Sequence, residues 1–280
     1  MTISGAARVA GVMGWPVVHS RSPRLHGYWL AEHGIDGVYV PFPVRPEHLA
    51  TALRALPALG IRGANLTVPH KERALEALDT VDALARRIGA VNTVVVDAEG
   101  ALAGSNTDAH GFMANLREGA PAWRADGGPV VVLGAGGAAR AVCAALIDAG
   151  VKAIRLVNRS PARAEGLARD LDGPFVVRPW DERSVALRGA ALVVNTTSLG
   201  MTGQPPLDVD LAPVDGACVV NDLVYVPLET PLLAAARARG LVAVDGLGML
   251  LHQAVPGFAA WFGVRPTVTA GLRAHVLGCP

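Results

Sequence analysis

Three stretches of this 280-residue chain put chemically useful side chains where strand-like runs give way to helix-like ones. The first is Gly134-Ala135-Gly136-Gly137-Ala138-Ala139. It directly follows the β-branched run Val130-Val-Val-Leu133 and directly precedes a helix-forming stretch. This is G-x-G-x-x-A in the context that a dinucleotide site requires. Gly134 permits a tight turn, Gly136 lets backbone N–H groups approach a pyrophosphate, and Ala139 keeps the helix close to the strand. The helix N-terminus adds partial positive charge for the phosphates. The expectation is a bound dinucleotide; the plainer reading is a Gly-rich turn that binds nothing.

The end of the next strand selects the cofactor. NAD sites usually carry Asp or Glu there, about 20 residues on, to bond the ribose 2′-hydroxyl. Here the run Ile154 to Val157 ends in Asn158-Arg159-Ser160, with Arg163 on the next turn and no carboxylate. Two guanidinium groups suit a 2′-phosphate. NADP is expected over NAD, against the plainer reading of two solvated arginines at a helix start.

An alcohol oxidised by a nicotinamide gives its hydride to the cofactor, which does that chemistry itself. The hydroxyl proton must leave through a positioned acid/base. The remaining two stretches offer one. In Asn65-Leu-Thr67-Val-Pro69-His-Lys71, Pro69 suits the first turn of a helix, so Thr67 and Lys71 should flank a helix start at a strand's end. In Asn106-Thr107-Asp108, the Asp opens the next helix and can orient an amine. Taken alone, Lys71 reads as a surface lysine and Asp108 as a helix cap.

A wider pattern resolves that ambiguity. Ser20-Arg-Ser22-Pro-Arg-Leu-His26 resembles the S-x-S-P-x-x-H signature of the shikimate dehydrogenase family. Asn65 to Lys71, Gly89-Ala-Val-Asn92-Thr and Ser105-Asn-Thr-Asp108-Ala-His-Gly111 resemble three more of its blocks. So do Gly134 to Ala138, Asn158-Arg159-Ser160, Asn195-Thr-Thr-Ser198-Leu-Gly-Met201, Asp222-Leu-Val-Tyr225-Val-Pro227 and Gly246-Leu-Gly-Met-Leu-Leu-His-Gln253. The blocks follow family order over almost the whole chain.

The resemblance implies NADPH-dependent reduction of 3-dehydroshikimate to shikimate, within aromatic amino-acid biosynthesis. It implies that Lys71 and Asp108 form the catalytic pair. Ser20, Ser22, Thr67, Asn92, Tyr225 and Gln253 would then hold the substrate's hydroxyls and carboxylate, each of which needs a partner once water is excluded. Gly134, Ala135, Gly136, Gly137, Ala138, Asn158, Arg159, Ser160 and Arg163 would hold NADP. Thr196, Ser198, Met201, Leu223, Gly246 and Met249 would complete its site, with Met201, Leu223, Gly246 and Met249 on the nicotinamide side. Two positions depart from the common family pattern: Gly27 stands where many members carry Asn, and Leu223 where many carry Met.

These residues need a scaffold, and the texture of the chain supplies one. Short β-branched runs alternate with Ala/Leu/Arg segments of helical spacing. Strands are expected over Arg8 to Met13, Val38 to Phe42 and Gly63 to Leu66, with a hairpin of Thr93 to Asp97 and Ala101 to Ser105 around Glu99-Gly100. Helices are expected over Pro23 to His33, Pro46 to Leu56, Lys71 to Leu78, Val81 to Ile88 and Asp108 to Arg117. Beyond a Gly/Pro/Ala-rich stretch at 118–129 the βα alternation is stricter. Strands are read at Val130 to Leu133, Ala153 to Val157, Leu192 to Asn195, Val219 to Asp222 and Leu241 to Asp245. Helices are read to Ala149, from Pro161 and from Pro231, then at Met249 to Phe262 and Val268 to Leu277. This predicts an α/β chain of two domains with a cleft between them. The N-terminal substrate domain would span 1–117, completed by helices of 247–280, and a Rossmann-like NADP-binding domain with a parallel sheet would span 118–246.

Bulk properties narrow the function classes. Lys plus Arg is 25 against 24 for Asp plus Glu, and without a basic run this lacks the footprint of a nucleic-acid binder. Cys143, Cys218 and Cys279 are too scattered for a disulfide framework or a structural zinc site, and the histidines show no metal-ligand spacing; no metal is expected. His26, His70 and His252 read as structural or supporting groups. The apolar stretch Val130 to Ile147 contains Arg140 and the Gly cluster, so it is not read as a membrane span, and no signal peptide is read. A cytoplasmic enzyme acting on a small molecule, as monomer or homodimer, is expected. The competing readings are a quinate/shikimate or aminoshikimate dehydrogenase, and a catalytically silent NADP-binding sensor.

Overall fold

In the computed structural model, which describes residues 3–278, the chain forms two compact units. One is Met1–Thr107 with Leu251–Pro280, and the other is Asp108–Leu250. Cys279 lies outside the described residues.

The first unit carries β1 (Arg8–Gly14), α1 (Ser22–Glu32), β2 (Gly37–Pro43), α2 (Leu49–Ala55), β3 (Ile61–Leu66), β4 (Thr80–Val81), α3 (Ala83–Ile88), β5 (Thr93–Val96) and β6 (Leu102–Ser105). Its sheet runs β2-β1-β3-β5-β6-β4. β1 is parallel to β2 and β3, whereas the β5–β6 hairpin is antiparallel and joins the sheet antiparallel to β3. The sheet is therefore mixed. Leu53, Leu66, Val91, Val94 and Leu102 are buried in one cluster with α2. Each such side chain contributes about 1.5–3 kcal/mol by leaving water.

The expected helix over Lys71 to Leu78 is a single 3₁₀ turn, Arg73–Ala77. Pro69 is not in a helix. It sits in a turn with a cis Val68–Pro69 bond, in which the His70 N–H donates to the Thr67 carbonyl at 2.9 Å. The chain cannot continue as helix, because Asp79 N–H is drawn back to the Leu102 carbonyl and Thr80–Val81 pairs with β6. The next helix accordingly starts later than Val81, where the Asp82 carboxylate caps Ala85 N–H at 2.6 Å. The helix expected from Pro46 is likewise divided, a 3₁₀ turn at Pro46–His48 preceding α2.

The second unit opens with α4 (Asp108–Gly119) and continues through β7 (Val130–Leu133), α5 (Gly137–Asp148), β8 (Ile154–Asn158), α6 (Pro161–Leu171), β9 (Phe175–Pro179), β10 (Leu192–Asn195), β11 (Val219–Asp222), α7 (Pro231–Ala238) and β12 (Val242–Val244). All six strands are parallel, in the order β12-β11-β10-β7-β8-β9. The order reverses between β7 and β10, the place where ligands settle on such sheets. β7, β10 and β11 are buried throughout, as a sheet covered on both faces requires. Strand β9 is absent from the sequence reading. It is short, half-exposed, at the sheet edge and ends in Pro179, so it lacks the apolar run that marks its neighbours.

Two helices follow, α8 (Leu247–Phe262) and α9 (Ala270–Leu277). The compact units divide at Thr107/Asp108 and Leu250/Leu251, whereas the sequence boundaries are 117/118 and 246/247. The difference is α4 and the first turn of α8, which pack within the second unit. Asn115 Nδ2 donates to the Asp245 carbonyl at 2.7 Å, and a Cβ on Gly119 would meet Val244 at 2.9 Å. No helix among the described residues is long and apolar enough to cross a membrane.

Candidate active site

In the first unit the sequence-predicted polar residues gather around the strand ends. Ser22 is the first residue of α1, and its N–H donates to the Ser20 hydroxyl at 3.3 Å, which holds the two serines together. Thr67 N–H donates to the Met13 carbonyl, extending the β1–β3 register past Leu66. Lys71 is half-buried. Its carbonyl accepts from Val91 N–H at 2.8 Å, so the backbone that carries the amine is tied to the segment carrying Asn92.

A buried polar network connects these elements. Asn92 Nδ2 donates to the Thr107 hydroxyl at 3.0 Å and to Gln253 Oε1 at 3.1 Å, while its Oδ1 accepts from Thr107 N–H at 2.8 Å. The Thr107 hydroxyl in turn donates to the Gln253 carbonyl at 2.8 Å. On the other side, Asn65 Nδ2 donates to the Thr93 hydroxyl and to the Asn92 carbonyl, both at 3.1 Å. The Tyr39 hydroxyl donates to Asn65 Oδ1 at 2.6 Å and is also hydrogen-bonded by Ser22. Ser22, Asn92 and Gln253 are thus linked through Tyr39, Asn65 and Thr93, although they come from α1, the segment before β5, and α8.

Burial raises the Tyr39 hydroxyl well above its ordinary range, so it stays a donor. His26 stacks on Tyr39 with ring centroids 3.9 Å apart. Burial lowers its pKa to about 3, so the imidazole is neutral. His70 is fixed by a 2.8 Å bond between Nε2 and the Val44 carbonyl, and burial lowers its pKa as well.

In the second unit the Gly134–Ala139 loop has the geometry that its glycines foretell. Gly134 has φ +106°, and a Cβ there would meet the Thr196 hydroxyl at 2.7 Å. Thr196 binds the Leu133 carbonyl with both its N–H and its hydroxyl, at 2.9 and 2.7 Å. α5 starts with Gly136 as its N-cap and no side-chain cap. Its first-turn N–H groups are therefore left for something else. A Cβ on Gly136 or Gly137 would face open space, while Ala139 is fully buried against the unit's interior.

At the end of β8, Asn158 Nδ2 donates to the Ser160 carbonyl at 2.9 Å, which sets the turn. Arg159 and Arg163 are exposed and make no hydrogen bond or ion pair to another described residue. An uncapped helix N-terminus, a glycine-lined approach and two uncommitted guanidinium groups fit a dinucleotide with an extra phosphate. Ser198 and Met201 are exposed, Leu223 is half-buried, and Gly246 and Met249 are buried. Gly246 allows a close approach that a side chain would forbid, because its Cβ would lie 2.2 Å from the Leu223 carbonyl oxygen.

Tyr225 and Asp108 belong to the second unit, apart in the chain's division from the other residues expected at the substrate and from Lys71. Asp108 is buried at the head of α4, and Tyr225 is half-buried. Cys143 and Cys218 are buried free thiols, the first pushed up by burial and the second pushed up to about 12, so neither is a nucleophile. Sequence reasoning gave no site role to Tyr39, Thr93, Asn195 and Asp222, although the last three lie in the family-like stretches. A tyrosine or threonine in a strand reads as a β-former, and Asn195 and Asp222 look like ordinary strand-end polar residues.

Comparison with known proteins shows what the chain as a whole is similar to. A family described as the shikimate dehydrogenase substrate binding domain matches residues 12–94, and one described as shikimate/quinate 5-dehydrogenase matches residues 122–201. The shikimate dehydrogenase (NADP(+)) of Paramagnetospirillum magneticum is 64% identical over 98% of this chain and 100% of its own. Among solved structures, the shikimate 5-dehydrogenase of Thermus thermophilus in complex with NADP(H) and shikimate superposes with a TM-score of 0.86 at 38% identity, covering 98% of this chain and 100% of that one. The quinate dehydrogenase of Corynebacterium glutamicum in complex with NAD superposes with a TM-score of 0.90 at 35% identity, covering 97% of this chain and 99% of that one.

Proposed function

Since the chain belongs to the shikimate dehydrogenase family, we propose that it interconverts 3-dehydroshikimate and shikimate with NADP(H), using Lys71 and Asp108 as its acid/base pair. The observation that carries this reading is the full-length match to the Paramagnetospirillum magneticum enzyme. The buried network supports it, because it ends on Ser22, Asn92 and Gln253, three of the side chains that the family pattern assigns to the substrate.

NADP supplies the hydride acceptor or donor when bound. The chain's own groups do the rest. The Lys71 amine takes the proton of the reacting hydroxyl during oxidation and returns it during reduction, and Asp108 orients the amine. Ser20, Ser22, Thr67, Asn92, Tyr225 and Gln253 hold the substrate's hydroxyls and carboxylate. The α5 N-terminus would hold the pyrophosphate, and Arg159 and Arg163 would hold the 2′-phosphate. On this reading residues 1–117 with 247–280 serve the substrate and 118–246 the cofactor. The enzyme works in the cytoplasm on a small molecule, as monomer or homodimer, and the net charge of +1 without a basic run gives no purchase for nucleic acid.

The test is NADP reduction with shikimate beside quinate, for wild type and Lys71→Ala. The wild type should turn over shikimate with NADP, and the variant should lose about 10²–10⁴-fold in kcat while still binding cofactor. The likeness to the quinate dehydrogenase bound to NAD motivates the rival reading, which predicts turnover with quinate, or with NAD, in preference. NADP binding without turnover of either substrate would indicate a sensor.

A further inference from the structure

Asn195 and Asp222 end the neighbouring parallel strands β10 and β11 and are partners in register. Each folds its side chain over the residue that follows. Asn195 Oδ1 accepts from Thr197 N–H at 3.0 Å and from the Thr197 hydroxyl at 2.7 Å, closing a turn around Thr196. Asp222 Oδ1 accepts from Val224 N–H at 3.0 Å, closing a turn around Leu223. The two turns are then joined, since Asn195 Nδ2 donates to the same Asp222 Oδ1 at 2.9 Å. Leu223 N–H completes the link by donating to the Asn195 carbonyl at 3.0 Å.

The polarity of this junction is fixed. A backbone N–H occupies Asn195 Oδ1, so the amide cannot flip and must present its NH₂ to position 222. There it meets a carboxylate buried without any cation beside it. Asp222 Oδ2 is held by the Thr230 hydroxyl at 2.7 Å, and Thr230 also caps α7. Burial raises the Asp222 carboxyl, and hydrogen bonds from Thr230, Val224 and Asn195 oppose that rise. A group so costly to bury is kept where hydrogen bonds to a charged acceptor are worth most. What it holds is the pair of loops bearing Thr196, Ser198 and Met201 on one side and Leu223 on the other. Gly246 closes against the Leu223 carbonyl from the third side.

We infer that Asp222, with Asn195, is a positioning residue for the nicotinamide end of the cofactor, acting through the backbone of Leu223 and Thr196 without touching the cofactor itself. This rests on the reading of the second unit as the NADP site and adds to it a group that sets where the reactive ring lies.

The test separates the two ends of the cofactor. 2′,5′-ADP carries the adenosine and the 2′-phosphate but no nicotinamide. For Asp222→Ala, 2′,5′-ADP should bind within about twofold of wild type, whereas kcat for shikimate oxidation should fall about tenfold or more, the scale of a lost charge-assisted hydrogen bond. Thr230→Val removes the donor to Asp222 Oδ2, and with it the cap on Leu233 N–H, and leaves Asn195 and Val224 in place. It should reduce kcat less, with 2′,5′-ADP again unchanged, and it carries the test if Asp222→Ala does not fold. Parallel loss of 2′,5′-ADP affinity and kcat would mean a merely structural role and overturn the inference, as would an unchanged kcat in the folded variants. Failure of the wild type itself to bind 2′,5′-ADP would instead overturn the NADP-site reading, and this inference with it.

Discussion

His26 places an imidazole with two unpartnered nitrogens in a pocket of aromatic rings, against Tyr39, Trp29, Phe258 and Trp261. Its pKa is about 3 in the folded chain against 6.5 in the unfolded one. Between those values the unfolded state binds the extra proton, so stability falls as pH drops from 6.5 toward 3, by at most about 1.4 kcal/mol per pH unit from this group. His26→Phe should remove that dependence while keeping the ring stack. Urea unfolding at pH 8 should be within about 1 kcal/mol of wild type, because neither nitrogen has a bond to lose. At pH 5 the variant should be the more stable of the two; an identical pH profile would show that the imidazole is charged or hydrated in place. Tyr39 makes the opposite case. Tyr39→Phe leaves Asn65 Oδ1 buried without its donor, which costs about 1–3 kcal/mol. Since Asn65 also holds Thr93 and the Asn92 carbonyl, the KM for shikimate should rise while the KM for NADP stays put. Equal changes in both would sink the network as a substrate-side device.

At the scale of elements, the β7–α5 turn depends on a conformation that only glycine adopts cheaply. Gly134→Ala puts a Cβ at φ +106° and against the Thr196 hydroxyl. The left-handed backbone alone costs about 1–2 kcal/mol, and displacement of Thr196 adds to it. Calorimetry should show NADP binding weakened about tenfold or more, with shikimate binding unaltered. That turn was readable in the sequence because strand, glycines and helix are contiguous, and each glycine does a local job. The same holds for β10, β11 and the helices that open at Pro161 and Pro231, whose apolar runs or prolines mark them. Where tertiary pairing decides, the sequence misleads. Lys71 to Leu78 has helical spacing, yet β6 captures Asp79 to Val81 and leaves one 3₁₀ turn. β9 owes its existence to pairing with β8, not to a pattern of its own. The polar network was illegible for a related reason. Ser22, Tyr39, Asn65 and Gln253 are far apart in the chain, and their hydrogen bonds exist only once α1, β2, β3 and α8 are in place.

The whole molecule is discontinuous in one unit and continuous in the other. The unit of Asp108–Leu250 is one stretch of chain, with its own parallel sheet and its own buried cluster of Val131, Leu133, Val193, Val220 and Leu233's neighbour Leu232. The other needs the end of the chain to finish its core. Phe258 and Phe262 are among its largest fully buried side chains. Trp261 Nε1 donates to the Val94 carbonyl at 3.0 Å, Trp29 Nε1 donates to the Thr267 carbonyl at 3.1 Å, and Arg8 holds the Phe262 carbonyl. Losing an aromatic of this kind costs about 3–5 kcal/mol, and losing both together with the tryptophan bonds comes to roughly 7–13 kcal/mol, as much as the roughly 5–15 kcal/mol that a domain has in hand. The two units should therefore behave differently when cut. A fragment of residues 108–250 should fold, with a cooperative unfolding transition, and bind 2′,5′-ADP within about tenfold of the full chain, since every side chain held responsible for the 2′-phosphate lies inside it. A fragment of residues 1–107 should lack a cooperative transition, and adding a separate peptide of residues 247–280 should restore one, because Trp261, Phe258 and Gln253 would return with it. Circular dichroism during thermal unfolding reads both. A cooperative 1–107 fragment would mean that the strands of the first unit carry their own core, and that α8 contributes Gln253 to the site without holding the unit together.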